Sequence, residues 1–245
     1  MERVLIVIPV RYNSTRFLGK PLELINGKPM IWWTYQQGLK VRNADDIVVA
    51  TDSESVYNEC LKYGMKVQMT SEKHLTGTDR LTEVAEKVIA DIYVNVQGDE
   101  PLIEPEVVEQ LIDFMKNHDK YICATVRSKI NNPVDVVNTT VSKVVVDVYD
   151  HIMYISKNPI PYPKADLNYS YYKALGIYAF RGEALKVYET EEKGMCESAE
   201  DIELLRLVER GIKVKDIEVE SDSFSVDTPK DLKRIEKLII ERGLD

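Results

Sequence analysis

Long apolar runs are missing from this 245-residue chain. The opening stretch Val4 to Ile8 is cut short by Pro9 and Arg11, so it is too brief for a membrane span and lacks the cleavage site of a secretory leader. Cysteine is scarce: Cys60, Cys123 and Cys196 lie far apart, without a CxxC, and read as reduced thiols of a cytoplasmic protein. Positive charge is in deficit, with 32 Lys and Arg against 41 Asp and Glu and a formal charge of -9. That argues against a nucleic-acid binder, which needs a basic face, but leaves room for a small anion held by a few local cations. Neither GxGxxG nor a Walker loop follows the first apolar run, which disfavours a dinucleotide-dependent hydride transferase. No repeat, linker or low-complexity stretch divides the chain, so one domain spanning 1–245 is expected. Its 44% apolar content is enough for a large core.

The first half alternates strands and helices. Val4–Val10 and Asp46–Thr51 are continuously apolar runs that read as strands buried on both faces. A helix follows Pro29, and another follows Asp52 as its expected cap and stops at Gly64. A short strand at 66–69, a helix beginning at Thr78 or Asp79, a strand at 92–97 and a helix at 104–117 continue the pattern. This predicts an α/β fold, Rossmann-like, with a mostly parallel sheet covered by helices on both faces. The later chain breaks the alternation. Strands at 141–148 and 173–181 flank Pro159, Pro161 and Pro163, and residues 125–180 read as an antiparallel excursion. Helices at 183–191 and 199–209 and a strand at 212–219 follow. A closing helix is capped by Thr228, with Pro229 in its first turn and a stripe of Leu232, Ile235, Leu238 and Ile239.

Ligands of such sheets bind beyond the carboxyl ends of the strands. Four polar clusters occupy such places. Arg11 to Lys20 follows the first strand and combines cations, hydroxyls and a glycine, suited to a polyphosphate. His74 to Arg80 lies at the start of a helix, where amides favour an anion or a nucleotide edge; His74 itself reads as a surface histidine. Asp99 and Glu100 in Gln97-Gly-Asp-Glu-Pro101 are suited equally to a turn and to a hard cation. Asp227, taken alone, reads as support for a helix end. Together the clusters meet the needs of a Mg2+-dependent enzyme acting on a phosphorylated nucleotide.

The stretches IPVRYNSTRFLGKPL (8–22), INGKPMI (25–31), TGTDRL (76–81), NVQGDEPLI (95–103), SKVVVD (142–147), LGIYAFR (175–181), IELLRLVERGIKV (202–214) and VDTPKDL (226–232) run in order through the chain. They resemble the cytidylyltransferases that activate 3-deoxy-manno-octulosonate (KDO). The resemblance implies transfer of CMP from CTP to the C2 hydroxyl of KDO or a close 3-deoxy-2-ulosonic acid. It also implies Mg2+ as cofactor, release of pyrophosphate, a role in lipopolysaccharide or capsule synthesis, and a homodimer formed through the excursion. Carried over by position, Val10, Arg11, Ser14, Lys20, Thr78, Arg80 and Gln97 are the implied nucleotide-binding residues. Asp99 and Asp227 are the implied metal ligands, and these two with Arg11 and Lys20 form the catalytic set. Tyr178, Glu203, Arg206 and Lys157 are the implied sugar-binding residues.

The chain departs from the family on the sugar side. Ala174 stands where the family usually carries a histidine, Leu204 where it carries a glutamine, and Lys157 where it carries an arginine. A modified KDO or a nonulosonic acid is therefore an alternative acceptor. A non-catalytic nucleotide-binding relative is the alternative of another class.

Overall fold

The computed structural model describes residues 2–12, 17–221, 223 and 225–244. In chain order the elements are β1 (Val4–Val10), a 3-10 turn (Lys20–Leu22), β2 (Leu24–Ile25), β3 (Lys28–Pro29), α1 (Met30–Leu39), β4 (Asp46–Thr51), α2 (Glu54–Lys62), β5 (Val67–Met69), α3 (Gly77–Lys87), β6 (Ile92–Val96) and α4 (Pro105–Asn117). There follow β7 (Cys123–Lys129), α5 (Pro133–Val137), β8 (Lys143–Val146), β9 (Ile152–Ser156), β10 (Tyr172–Phe180), α6 (Gly182–Thr190), α7 (Met195–Glu200), α8 (Leu205–Val208), β11 (Lys215–Glu218) and α9 (Pro229–Glu241).

The main sheet has the order β11-β7-β10-β6-β1-β4-β5. Neighbouring strands are parallel except for β10, which runs antiparallel to both β6 and β7. The alternation of side chains along β1 explains why it needs an unbroken apolar sequence. Val4, Ile6, Ile8 and Val10 enter one core cluster while Leu5 and Val7 enter the other, so both faces are covered. Truncating a residue such as Ile6, fully buried, to Ala would cost roughly 2–5 kcal/mol. A third cluster, with Ile25, Met30, Trp33, Leu102, Val226, Ile235 and Ile239, seats α9 beside the carboxyl end of the sheet.

The antiparallel pairings fall within the 125–180 stretch read from sequence or involve its strands: β10 with β6 and β7, and β8 with β9 and β10. Most of β7 lies in that range but belongs to the main sheet, parallel to β11. The β8–β9 hairpin lies off the main strand order and joins the sheet at β10, where Lys143 pairs with Lys173. Two caps also differ from expectation. Ser53, not Asp52, caps α2 by accepting from the Val56 amide, which leaves Asp52 to pair with Arg80 at 2.6 Å. Thr76 rather than Thr78 or Asp79 caps α3, in a reciprocal box with Asp79. The helix expected over 199–209 is two short helices, because Asp201 takes a left-handed conformation (φ 53°) between them.

One buried group sets a pH dependence. Asp216 in β11 is 1% exposed, and neither carboxylate oxygen has a hydrogen-bond partner, although the Arg127 guanidinium lies 3.9 Å away. Burial outweighs that attraction and pushes its carboxyl up to about 7. The folded protein thus keeps a proton that the unfolded chain releases near pH 4, so this group lowers stability as pH rises from about 4 to 7. Asp216→Asn is expected to gain stability relative to the parent over that range, measured by urea unfolding at several pH values. A difference independent of pH would contradict this assignment.

Candidate active site

A cavity of about 690 Å³ opens at the carboxyl ends of β1 and β6. The acidic surplus of the whole chain is absent there: Arg11, Lys20, Arg80, Lys129, Lys173, Arg234 and Arg242 line it beside an equal number of carboxylates. The fold gathers cations at the place where a phosphorylated ligand would bind.

Lys20 holds the centre. Its Nζ donates to Asp99 Oδ2 at 2.5 Å and to the Val226 carbonyl at 2.8 Å, and lies 3.9 Å from Asp227 Oδ1. The two carboxylates reach it from different elements, Asp99 from the turn after β6 and Asp227 from the residue before the Thr228 cap of α9. The Val226 amide donates to the Asp99 carbonyl at 2.9 Å and fixes that juxtaposition. Glu100, paired with Asp99 in the sequence reading as a cation ligand, turns inward. It is 6% exposed and accepts from the Ser223 hydroxyl at 2.5 Å, and burial raises its carboxyl to about 7.

The loop after β1 is reached by a tight approach. A Cβ on Gly98 would sit 2.7 Å from Val10 Cγ2 and 3.2 Å from the Pro9 carbonyl oxygen, so only glycine lets β6 release its loop against the end of β1. Arg11 lines the cavity and its guanidinium donates to the Leu75 carbonyl at 3.3 Å, bridging to the loop before α3. Ser14 lies outside the described residues.

The N-terminus of α3 is already occupied by an internal carboxylate. Glu203 accepts from the Gly77 amide at 2.7 Å, from the Thr78 amide at 3.2 Å and from the Thr78 hydroxyl. Its carboxyl is raised above the ordinary value by burial. Glu203 lines the cavity, whereas Thr78 is fully buried behind it. Arg80 reaches the cavity wall but is tied to Asp52, to the Thr70 hydroxyl and to the Ser71 carbonyl. Val10, Gln97 and Tyr178 also face the cavity, and burial raises the Tyr178 phenol so that it keeps its proton.

A family model described as Cytidylyltransferase matches residues 5–217. A 3-deoxy-manno-octulosonate cytidylyltransferase of Escherichia coli is 42% identical over 241 residues, covering 98% of each chain. The chain belongs to the 3-deoxy-manno-octulosonate cytidylyltransferase family. The enzyme of that name from Fusobacterium nucleatum is 39% identical, with 97% of each chain covered. A solved structure described as CMP:2-keto-3-deoxy-manno-octonic acid synthetase complexed with CTP superposes with a TM-score of 0.92 at 40% identity, covering 98% of this chain and 99% of the other. A 4-diphosphocytidyl-2C-methyl-D-erythritol synthase from Anaerococcus prevotii, at 15% identity and a TM-score of 0.63, shares the fold.

The residues that the resemblance implies for the sugar divide. Tyr178 and Glu203 line the cavity together with Ala174. Arg206 is spent elsewhere: its guanidinium forms a bidentate pair with Glu197 at 2.7 Å on both nitrogens and reaches Asp79 at 3.2 Å. Lys157 and Leu204 are not among the described lining residues, and Leu204 is fully buried in the second core cluster. Of the substitutions noted in the sequence, only the one at Ala174 opens onto the cavity. Sequence reasoning missed Lys129, Lys173 and Ser223, which converge on the cavity from β7, β10 and the chain before α9. No motif marks them.

Gly98→Ala is expected to force β1 and β6 apart at the cavity floor, at a cost of about 1–3 kcal/mol, and to weaken CTP binding. Thermal unfolding and CTP titration of the variant check this; unchanged stability and affinity would contradict the close approach.

Proposed function

We propose that this chain transfers CMP from CTP to the C2 hydroxyl of KDO, releasing pyrophosphate. The observation that carries the reading is the pair of carboxylates, Asp99 and Asp227, converging on Lys20 in the cavity of a cytidylyltransferase fold. Among the described residues no group of three or more His, Cys, Asp or Glu makes a complete metal cage. Two carboxylates facing one ammonium nevertheless suit Mg2+, which binds through one or two carboxylates and takes further ligands from phosphate and water. Asp99 and Asp227 would hold the ion. When bound it supplies Lewis acidity toward the α-phosphate and lowers the pKa of the acceptor hydroxyl.

The protein's own groups do the rest. Arg11 and Lys20, with Ser14 from the same loop, hold triphosphate oxygens and neutralise charge that builds on the leaving group. Val10 and Gln97 present the cavity floor to the cytidine, with Thr78 and Arg80 firming the wall behind it. Tyr178, protonated, and Glu203 offer a donor and an acceptor to the sugar. Lys157 and Arg206 act from outside the cavity, Arg206 by fixing Asp79 in the α3 capping box. The acceptor oxygen forms a bond to the α-phosphorus as the bond to the β-phosphate oxygen breaks, and the hydroxyl proton leaves to solvent. Positioning in line is the chain's main contribution, and no covalent enzyme intermediate is needed.

The Ala174 opening supports a second acceptor, a KDO carrying an added substituent, since a smaller side chain leaves space in the cavity wall. The proposal includes a cytoplasmic site of action, where CTP and reduced thiols coexist. It also includes a homodimer through the β8–β9 side, where Val148, Tyr149 and Met153 are largely exposed. Among the described residues no helix is long and apolar enough to cross a membrane.

Pyrophosphate release is expected with CTP, Mg2+ and KDO, and not without an acceptor. Release with a nonulosonic acid but not with KDO would replace the substrate, and silence with every acceptor from protein that binds CTP would overturn the enzymatic reading. Asp99→Asn is expected to lower kcat by at least about 100-fold while CTP affinity changes little. An equal loss of CTP binding would contradict the role given to Asp99. Sedimentation as a monomer at micromolar concentration would contradict the dimer.

A further inference from the structure

The carboxylates and Lys20 use the first residues of α9, but α9 continues along the cavity. Asp231, Arg234, Leu238 and Arg242 all line it. Their spacing of three, four and four places them on one stripe of the helix, while Ile235 and Ile239 occupy the adjoining stripe that is buried in the third core cluster. The cavity-facing direction of these arginines is thus set by the seating of α9. The start of α9 is closed by a capping box, in which the Asp231 amide donates to the Thr228 hydroxyl and the Asp231 carboxylate accepts from the Thr228 amide at 2.8 Å. What faces the cavity beyond that cap is guanidinium.

We propose that Arg234 and Arg242 form a pyrophosphate track, Arg234 gripping the terminal phosphate of bound CTP and Arg242 receiving the pyrophosphate as it departs. The inference rests on the cytidylyl-transfer reading. Helical rise places Arg234 about 7.5 Å along α9 from its first residue, Pro229, and Arg242 about 12 Å farther. A triphosphate whose α-phosphorus sits at the Asp99–Asp227 pair can meet Arg234 with its far end, whereas Arg242 lies beyond its reach and meets the product. Guanidinium suits this task, since it binds phosphate in a bidentate manner and never loses its charge.

The acceptor has a better place. The chain after β7 lines another part of the cavity with Asn131, Asn132, Asn138, Thr140 and Ser142, separated in the sheet from β1 by β10 and β6. Amides and hydroxyls match a polyol. In-line displacement requires attacking and leaving oxygens on opposite sides of the phosphorus, so a polyol wall on the β7 side leaves α9 for the leaving group.

Both arginines are exposed, so Arg234→Ala and Arg242→Ala are expected to fold. Equilibrium titration with inorganic pyrophosphate, CTP and CMP in the presence of Mg2+ reads the proposal without turnover. Arg234→Ala is expected to weaken pyrophosphate and CTP by about 10-fold and CMP by less than about two-fold. Arg242→Ala is expected to weaken pyrophosphate alone, and to relieve product inhibition in the forward assay. Arg234→Lys, which keeps the charge but loses the fork, should recover part of the affinity. Unchanged pyrophosphate affinity in both alanine variants would overturn the proposal, as would parallel loss of CMP and CTP. A raised KM for the acceptor with pyrophosphate unaffected would overturn it too, by assigning the arginines to the sugar. If the parent bound pyrophosphate as expected but transferred nothing to any acceptor, the cytidylyl-transfer reading would fail while the track stood.

Discussion

Two carboxylates, Asp99 and Asp227, come from parts of the chain that are far apart in sequence, yet both face the ammonium of Lys20. Left without a cation, two such charges in a half-buried pocket would repel each other strongly, because the local dielectric is well below that of water. Lys20 therefore ties three segments together: the loop after β1, the turn after β6 and the start of α9. The tie is reinforced by its bond to the Val226 carbonyl and by the backbone bond from Val226 to Asp99. The parallel pairing of β1 with β6 brings the first two segments to the same edge, and the apolar seating of α9 on Trp33, Leu102 and Val226 brings the third. A cation between these carboxylates is a condition of the fold as well as of the proposed chemistry, and the charges that hold the site together are those that a metal and a triphosphate would exchange among themselves.

A second set of buried charges keeps the surrounding wall rigid. Arg80 with Asp52, Arg206 with Glu197 and Asp79, and Glu203 with the first amides of α3 are all nearly or fully satisfied pairs. Burying a charge is costly unless it is paired and hydrogen-bonded, so each of these groups is held in one geometry. Glu203 fills the anion site at the tip of α3 with the protein's own carboxylate. That arrangement commits Arg80 and Arg206 to internal carboxylates and leaves the proposed phosphate contacts to other cations of the cavity.

Much of the fold is legible in the sequence because the central strands are apolar on both faces. Val4–Val10 and Asp46–Thr51 stand in the structure as the spacing predicts. The Thr228-Pro-Lys-Asp231 start of α9 is equally plain, since its capping box is local. The strand Cys123–Lys129 is harder to see. Thr125, Arg127 and Ser128 are buried yet polar, and their partners, the carbonyls of Ile177, Asp216 and Ser221, are distant in sequence. For the same reason the residues proposed for phosphate and metal lie in motifs that the sequence displays, whereas the pairing of Arg206 with Glu197 and Asp79 is visible only in the structure. Leu204 is similar: its substitution for a polar residue suggests an altered sugar pocket, but the side chain lies in the core, and Ala174 alone changes the wall. A one-dimensional pattern reports local caps and periodicity, and it is silent on which buried polar group answers which.

In the proposed chemistry Lys20 occupies the place of a cation and yields it on substrate binding. A crystal structure of the protein with Mg2+ and a non-hydrolysable CTP analogue tests this directly. The account predicts a divalent ion between Asp99 and Asp227, with the Lys20 ammonium moved from Asp99 onto a phosphate oxygen. A bound analogue with the Lys20–Asp99 pair intact and no ion between the carboxylates would contradict it.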